Sequence, residues 1–437
     1  GRFLKRAIDS VLSQTLKNFQ LLVIDDGSND DSSEILDFYE EIYGVTVIRN
    51  SNKGLTASNN EALKLARGKY ITRLDADDYL HKDALRQLSN YLEENQSLVA
   101  VFPDYAVVDQ DENIMRYDLR HNFQKEVNLF DSPAHGACTL IKLETLKKVG
   151  GYNENYLCQD GWDVWIKLLN EGEVENINLP LFFYRQHESN LTKDKRKLFF
   201  TRSNILKNHN KIHHKEQLSS LCIIPIRDST TNPISLLPIK KENLLLRTIQ
   251  QALKAERIDQ IVVSTNNTLV IEEVRKMRIE DVIIHDRNLS NKELSRDIDS
   301  VVNDVLIMDK LKALSFNAIT VLNYEYPFRS PHLIDQSLDI IQTFKAESSM
   351  TVKPLNLNFF RNLGNGLQAE KDNADLRKER EIRYAEWGGI HSVLKSSFKK
   401  NNRIHQGLTA TIELDESSSF KIESDFDFQL ASSLDYE

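Results

Sequence analysis

The chain has 437 residues, of which 40% are hydrophobic and 28% charged, and its formal net charge is −9. This length allows two domains, each large enough to bury its own core. The acidic balance excludes a general nucleic-acid binder, which would carry a basic surface, and no apolar run approaches the roughly 20 residues that span a bilayer.

Three cysteines, Cys138, Cys158 and Cys222, lie far apart in the sequence and form no paired motif. This pattern indicates buried thiols in a reducing compartment rather than a disulfide framework. We therefore expect a cytoplasmic protein.

The first half of the sequence alternates between helical and strand patterns. Apolar residues recur at helical spacing over 3–12, and buried strands are predicted at 19–24, at 45–48 and from Lys69. Helices are predicted between these strands, the later one over 55–66. The β-α-β-α-β order predicts an α/β domain with a mainly parallel sheet and helices on both faces.

Two of the predicted strands end in carboxylates. One ends in Asp25 and Asp26, and the other in Asp75, Asp77 and Asp78. Because the carboxyl ends of parallel strands meet at one edge, we expect the two clusters to converge where such sheets bind ligands. Crowded carboxylates repel one another unless a cation lies between them, and their oxygens suit Mg²⁺ or Mn²⁺. A solvated acidic turn is the alternative for either cluster alone.

Three runs in this half carry a family resemblance: SVLSQTLKNFQLLVIDDGSNDDS, NSNKGLTASNNEALKLARGKYITRLDADD and KVGGYNENY. They resemble glycosyltransferase family 2, which implies a GT-A domain over residues 1–192. The resemblance implies an inverting, metal-dependent enzyme that moves a sugar from a nucleotide-diphosphate donor to a saccharide or lipid-linked acceptor in surface polysaccharide or glycoconjugate synthesis. The chain opens at Gly1 inside a helical pattern, without the first strand of the family, so we expect a preceding segment.

The same resemblance assigns roles to the acidic residues. Asp26 would bind the nucleotide base, Asp75 would lie near the ribose and diphosphate, and Asp77 would ligate Mn²⁺ or Mg²⁺. Asp25 and Asp78 are further candidates from the same two clusters.

The segment CQDGWD, at 158–163, opens a predicted helix. Transfer to a hydroxyl needs one carboxylate to remove the hydroxyl proton during attack. The resemblance makes Asp160 that general base, with a helix cap as the alternative, and Asp163 is predicted to be an ordinary helix residue.

The segment 181–187 resembles the closing segment of the family. Arg185 and His187 are therefore candidates for contacts with the diphosphate or the metal, and a solvated loop is the alternative. His135 stands alone in its segment and is expected to be a structural hydrogen-bonding residue.

Residues 193–217 are basic and carry one modest apolar stripe. This pattern predicts a helical linker packed on a domain. Docking on the anionic inner face of a membrane is the alternative.

From residue 218 to the end the alternation of strands and helices restarts, which predicts a second α/β domain. Its opening run CIIPIRDSTTNPISLLPIKKENLLLRTIQQAL and the later EWGGIHSV and FKIESDFDFQLA resemble cytidylyltransferases that make CMP-activated acidic sugars. The resemblance implies a nucleotide-binding fold that retains Arg227 and Arg329.

This second half departs from the family pattern where phosphates and magnesium would bind. The phosphate loop Gly-Gly-Ser-Lys is replaced by 228–231, the magnesium-binding Asp-x-Asp by Lys421 and Glu423, and an expected Asp by Asn266. A lysine in a cation site repels magnesium, so we expect the fold without nucleotidyl transfer. The alternatives are a bifunctional enzyme that also makes a CMP-sugar, and a scaffold that forms homo-oligomers.

Overall fold

The computed structural model describes residues 1–43, 45–119, 135–156, 158–187, 194–227, 233–287, 297–355, 359–362, 367–369, 383–405 and 407–434. The chain forms two compact units, Gly1–Asp194 and Lys195–Glu437. Both combine helices with sheets, so the predicted α/β class is confirmed. In the described part of the chain, no helix has the length and apolar character needed to cross a bilayer.

The first unit has short helices that alternate with strands in its first third and a longer sheet after it. Its helices are α1 Leu4–Leu12, α2 Ser32–Tyr43, α3 Leu55–Leu65, α4 Ala84–Glu94, α5 Leu143–Lys148 and α6 Asp160–Leu168. Its strands are β1 Leu22–Asp25, β2 Thr46–Arg49, β3 Tyr70–Ile71, β4 Tyr79–Leu80, β5 Leu98–Val108, β6 Ile114–Asp118, β7 Leu140–Lys142 and β8 Glu173–Arg185.

The sheet pairing of this unit differs from the mainly parallel sheet that the sequence predicts. Strands β1 and β2 form a parallel pair, but the larger sheet has the order β3-β7-β5-β8-β4, with β6 paired to β5. Within it, β5 and β8 run parallel, whereas the other described pairings are antiparallel. A parallel pair needs a long crossover, and the segment that includes α5 and α6 supplies one between β5 and β8.

The two acidic clusters therefore do not follow neighbouring strands of one sheet. Among the described residues β1 pairs with β2, whereas β3 pairs with β7. Strand β3 ends at Ile71, and Asp75 and Asp77 lie in the turn between β3 and β4. The apolar run 133–141 predicts a strand from the sequence, but the observed strand begins only at Leu140, and Pro133 and Ala134 lie outside the described residues.

Two apolar clusters hold this unit together. Helix α1 packs Leu4 and Ile8 against Leu36, Tyr39 and Val45, as its helical spacing predicts. Helix α4 packs its leucines against β5, β7 and β8 in a larger cluster made of Leu80, Ala84, Leu85, Leu88, Leu92, Leu98, Val101, Ala137, Cys138, Leu140, Leu181 and Phe182.

The second unit contains seven helices and eleven strands in its described residues. The helices are α7 Lys195–His213, α8 Leu244–Leu253, α9 Thr268–Met277, α10 Ile298–Leu306, α11 Pro331–Phe344, α12 Lys395–Asn401 and α13 Asp425–Ser433. The strands are β9 Ser220–Pro225, β10 Pro238–Ile239, β11 Glu242–Asn243, β12 Ile258–Thr265, β13 Val282–Asp286, β14 Ala318–Leu322, β15 Ser348–Leu355, β16 Phe360–Asn362, β17 Leu367–Ala369, β18 Arg383–Leu394 and β19 Thr409–Glu413.

Seven of these strands form one sheet in the order β13-β12-β9-β14-β18-β15-β19. The first four run parallel, as the alternating pattern predicts, and β18 pairs antiparallel with both β14 and β15. Strands buried on both faces read as continuous apolar runs, and β9 and β14 do so.

Helix α7 covers most of the segment that the sequence predicts as a linker. It packs against α11 through Asn210, whose side-chain amide donates to the Asp339 carbonyl at 2.9 Å and accepts from the Thr343 hydroxyl at 3.0 Å. Asn210 is fully buried, so these contacts satisfy polar groups that have no access to water. The helix is part of the second unit.

Candidate functional site

The loop after β1 is organised by Asp26. Its two carboxylate oxygens accept hydrogen bonds from the backbone N–H groups of Lys53 and Gly54, both at 2.7 Å. Asp25 accepts from the backbone N–H of Ser28 at 2.9 Å. Both carboxylates thus shape loops in this arrangement, and the role of Asp26 as a ligand of a nucleotide base remains a prediction.

Asp75 and Asp160 are brought together by Arg73, which the sequence analysis did not single out. Arg73 Nη1 donates to Asp160 Oδ2, and Arg73 Nη2 donates to Asp75 Oδ2 at 3.3 Å. Burial lowers the pKa of Arg73, but the charges of Asp75 and Asp160 outweigh it and raise that pKa overall. The sequence does contain a signal for Arg73, because it is a charged residue inside an otherwise apolar strand pattern, two positions before Asp75.

Asp160 is the first residue of α6, and it does not cap the helix. The N-cap is Gln159, which has a left-handed backbone with φ 62° and makes no side-chain cap hydrogen bond. A non-glycine residue in this region is uncommon and marks local strain. The side chain of Asp160 is 11% exposed and faces Arg73. The alternative of a capping aspartate is therefore wrong, because the carboxylate pairs with a guanidinium instead.

A close approach of two glycines permits this pairing. A Cβ atom on Gly161 would lie 2.7 Å from the Cα of Gly136, and one on Gly136 would lie 3.0 Å from Nη2 of Arg73. A side chain at 161 would collide with backbone, and one at 136 would press on the Arg73 guanidinium. Neither glycine was predicted as a site residue.

Asp77 and His187 form a second pair in the same unit. The distance between Asp77 Oδ2 and His187 Nε2 is 2.8 Å, and both side chains are partly exposed, at 32% and 15%. The His187 ring stacks on Phe3 with 5.8 Å between ring centroids. A carboxylate oxygen and an imidazole nitrogen that meet in this way are two donors of the kind that a divalent cation takes.

Asp78 is directed away from Asp77 and into the core. Its Oδ1 accepts from the backbone N–H of Arg185 at 2.8 Å, whereas Oδ2 is buried without a hydrogen-bond partner in the described structure. Burial, with added repulsion from Asp77 and Asp75, raises the pKa of Asp78 to about 8. The three acids of this turn thus face three different partners rather than one shared centre.

The side chain of Arg185 stabilises the acidic turn, which is the turn that carries Asp75, Asp77 and Asp78. Its side chain is 1% exposed and donates to the carbonyls of Asp77, Asp109 and Gln110 at 2.8 to 3.2 Å. The guanidinium also lies 4.4 Å from the centroid of the Phe3 ring. A contact with a diphosphate would require these bonds to break, so we assign Arg185 to the support of the turn.

Two aromatic or imidazole side chains complete the surroundings of Arg73. His135 is half-buried, and its Nδ1 accepts from the backbone N–H of Ala137 at 3.2 Å, as expected for a structural residue. Burial raises the pKa of Tyr152 to about 12, and the charges of Arg73 and Asp160 act on this phenol. Tyr152 was not predicted from the sequence.

The candidates in the second unit have different surroundings. Arg329 is buried, and its Nη1 donates to the carbonyls of Asn323, Gly388 and Gly389 at 3.0 to 3.3 Å. Burial lowers the pKa of Arg329 to about 10. Arg227 is exposed at the end of the described segment 194–227.

The positions that depart from the cytidylyltransferase pattern are only partly described. Lys421 forms an ion pair with Glu423 at 2.5 Å, which neutralises the glutamate where a magnesium ligand is expected. The replaced phosphate loop, 228–231, lies outside the described residues.

Comparison with known proteins identifies the first unit. Residues 1–149 match the family model of Glycosyl transferase family 2. Residues 1–149 of the first unit form a family 2 glycosyltransferase domain. The acidic turn, Arg73 and Asp26 all lie within the matched residues.

Curated relatives align with the same half of the chain. A chondroitin synthase of Escherichia coli is 27% identical over 179 residues, which are 41% of this chain and 26% of that protein. The UDP-Glc:alpha-D-GlcNAc-diphosphoundecaprenol beta-1,3-glucosyltransferase WfaP of Escherichia coli is 28% identical over 221 residues, or 48% of this chain and 82% of that one. Each of these alignments covers less than half of this chain.

Solved structures were also compared. S. aureus TarS 1–349 in complex with UDP-GlcNAc matches with a TM-score of 0.41 at 17% identity, covering 48% of this chain and 63% of that one. A CMP:2-keto-3-deoxy-manno-octonic acid synthetase complexed with CTP matches with a TM-score of 0.33 at 11% identity, covering 45% of this chain and 90% of that one.

Proposed function

We propose that the first unit transfers a sugar from a nucleotide-diphosphate donor to a hydroxyl acceptor with inversion of the anomeric carbon. The observation that carries this proposal is the Asp75–Arg73–Asp160 cluster, in which Arg73 joins the candidate base Asp160 to Asp75, a candidate for binding the nucleotide-sugar donor. Arg73 and Asp75 lie within residues 1–149, which match the family 2 model and support the assignment, and Asp160 follows that segment. One relative is named for a UDP-Glc donor, which makes UDP-glucose the first donor to test.

In the proposed reaction, Asp160 removes the proton of the acceptor hydroxyl as the oxygen attacks the anomeric carbon. The C–O bond to the nucleoside diphosphate breaks on the opposite face, and the diphosphate leaves with the bonding electrons. The guanidinium of Arg73 orients Asp160 before attack through the ion pair between the two side chains. General base catalysis of this kind contributes about 10²- to 10⁴-fold.

Asp77 and His187 are the residues that would hold a divalent cation. A mixed oxygen and nitrogen donor pair suits Mn²⁺ better than Mg²⁺, which prefers oxygen ligands. When bound, the cation would offset charge on the departing diphosphate. Asp75 would lie near the donor, with its orientation set by Arg73.

The central experiment separates binding from transfer. Asp160→Asn should retain nucleotide binding and lose at least about 10²-fold in kcat, whereas Asp77→Ala should weaken Mn²⁺-dependent UDP binding. Calorimetry gives the nucleotide affinity, and release of UDP in the presence of acceptor mixtures gives the rate.

Asp163→Asn is the matched control for the base. It lies one turn along α6, where Asp163 pairs with Lys167 at 2.6 Å and does not contact Arg73 in any hydrogen bond described. We expect its kcat to remain near that of the unchanged protein. Transfer at the normal rate by Asp160→Asn would show that another group takes the proton.

A further inference from the structure

A second cluster of metal-ligating side chains lies in the second unit. It comprises Glu386, His391 and His405, whose ligand atoms all lie within 4.8 Å of one another. His391 Nε2 is 3.0 Å from Glu386 Oε1, and His405 Nε2 is 3.8 Å from Glu386 Oε2. In the described part of the chain this is the one group of three such residues that meets that distance limit.

The cluster exists because strand β18 is interrupted. Five residues along a regular strand span roughly 16 Å, and an odd separation puts the two side chains on opposite faces. Here Glu386 pairs with Val352 and His391 with Met350, so residues 387–390 bulge out opposite Thr351. The bulge folds the strand back and brings the two ligand atoms into contact.

Glycine backbone and a buried arginine maintain this bulge. Gly388 and Gly389 have φ values of 86° and 62°, which side chains rarely tolerate. Arg329 Nη1 donates to both of their carbonyls, so the bulge is built around a buried cation. Bulges beside functional sites commonly re-aim a side chain in this way.

His405 reaches the cluster from the segment that follows α12. The backbone N–H of its neighbour Ile404 donates to Asp299 Oδ1 at 2.8 Å, which ties this segment to α10. The His391 and His405 rings lie 4.7 Å apart at 72°. Side-chain exposure rises from 6% for His391 to 37% for His405 and 55% for Glu386, so the cluster is open to solvent on one side.

The position of the cluster within the sheet suits a ligand site. His391 lies opposite Val321 and Ile390 opposite Leu322, the last residue of β14. Strand β14 runs parallel to β9, so the cluster lies at the carboxyl edge of the parallel strands. Open α/β sheets bind their ligands at this edge.

We propose that Glu386, His391 and His405 bind a divalent transition-metal ion. Two imidazole nitrogens and one carboxylate favour Zn²⁺ or Co²⁺ over Mg²⁺, which needs oxygen ligands. Bonds of about 2 Å place tetrahedral ligands about 3.3 Å apart, which lies between the two nitrogen–oxygen distances found here. Three protein ligands leave a coordination position for water or a bound anion.

The test is metal binding by the full chain carrying His187→Gln, which removes the imidazole of the Asp77–His187 pair as a competing metal ligand. We expect this protein to take up one Co²⁺ with the visible absorption of a nitrogen-ligated site, and to compete for Zn²⁺ with a chromophoric chelator. Adding His405→Gln, at a half-exposed position, should lower the affinity by more than about tenfold, since even the outer partners of metal ligands are worth that much.

The matched control is His213→Gln in the same background. The rings of His213 and His209 on α7 lie 4.4 Å apart, so these two imidazoles are an alternative place for a metal to bind. We expect this variant to bind Co²⁺ unchanged. The proposal is overturned if the His187→Gln protein takes up no metal, if His405→Gln leaves affinity unchanged, or if the metal is lost with His213→Gln instead.

Discussion

Substitution of Gly161 by alanine tests whether the backbone contact with Gly136 sets the geometry of Asp160. The new Cβ would lie 2.7 Å from the Cα and 3.2 Å from the N of Gly136, whereas ordinary van der Waals contact begins at 3.4 Å. The backbones must therefore separate by about 0.7 Å, because no flexible side chain can give way. Asp160 precedes Gly161, so the shift acts on its pairing with Arg73.

The expected effect falls mainly on the chemical step. A misplacement approaching 1 Å can cost about 10²-fold in rate, so we expect kcat to fall by about 10- to 100-fold with little change in UDP affinity. Overpacking should lower the free energy of unfolding by about 1–3 kcal/mol, and the higher helix propensity of alanine should return about 1 kcal/mol of this. Urea unfolding measures the stability, and UDP release measures kcat.

Gly172→Ala is the control for overpacking alone. Its Cβ would lie 2.6 Å from Cγ1 of Val99, a similarly short contact at a position outside the Arg73 cluster. This variant should lose comparable stability and keep its kcat. The reasoning is refuted if Gly161→Ala turns over at the unchanged rate, or if both variants lose rate in proportion to stability.

Three further predictions concern buried polar groups. The pKa of Asp78 is raised to about 8, so the folded state binds this proton more tightly than the unfolded chain does. The contribution of the protonated carboxyl to the free energy of unfolding is therefore complete below pH about 4 and is lost as the pH rises towards 8. Urea unfolding in the presence of EDTA should show that Asp78→Asn reduces the fall of the free energy of unfolding between pH 5 and 8. The same fall in the variant and the unchanged protein would contradict the raised pKa of Asp78. Arg185→Met should cost about 3 kcal/mol by leaving the carbonyls of the acidic turn unsatisfied, and an unchanged melting temperature would exclude this support role. Thr320→Val should lower the free energy of unfolding in urea by about 1–3 kcal/mol, because the Thr320 hydroxyl makes hydrogen bonds of 2.8 and 2.9 Å with the fully buried hydroxyls of Ser220 and Ser392. Thr409→Val removes a hydroxyl that bonds Ser348 at a partly exposed position and should cost less.

The local pattern of apolar residues was sufficient to predict most of the individual helices and strands. In the second half, the sequence pattern predicts a helix over 331–344, which is observed as Pro331–Phe344. It also predicts strands at 221–225 and 319–322, which are observed with one more residue at the start. Apolar periodicity and a proline at the helix start are properties of short segments, so they can be read without the rest of the chain. The predicted α/β class of both units follows from the same alternation.

Partner choice across the chain depended on the folded structure. The sequence places Asp75, Asp77 and Asp78 within four residues, but Arg73, His187 and the backbone of Arg185 draw them apart, and two of those partners lie more than 100 residues away. Likewise, Gly388 and Gly389 are a local signal for a bulge in β18, but the sequence does not indicate that this bulge joins Glu386 to His391. Side-chain periodicity reports which face of an element is buried, whereas the meeting of distant carboxylates, imidazoles and guanidinium groups is settled by strand register and close backbone packing.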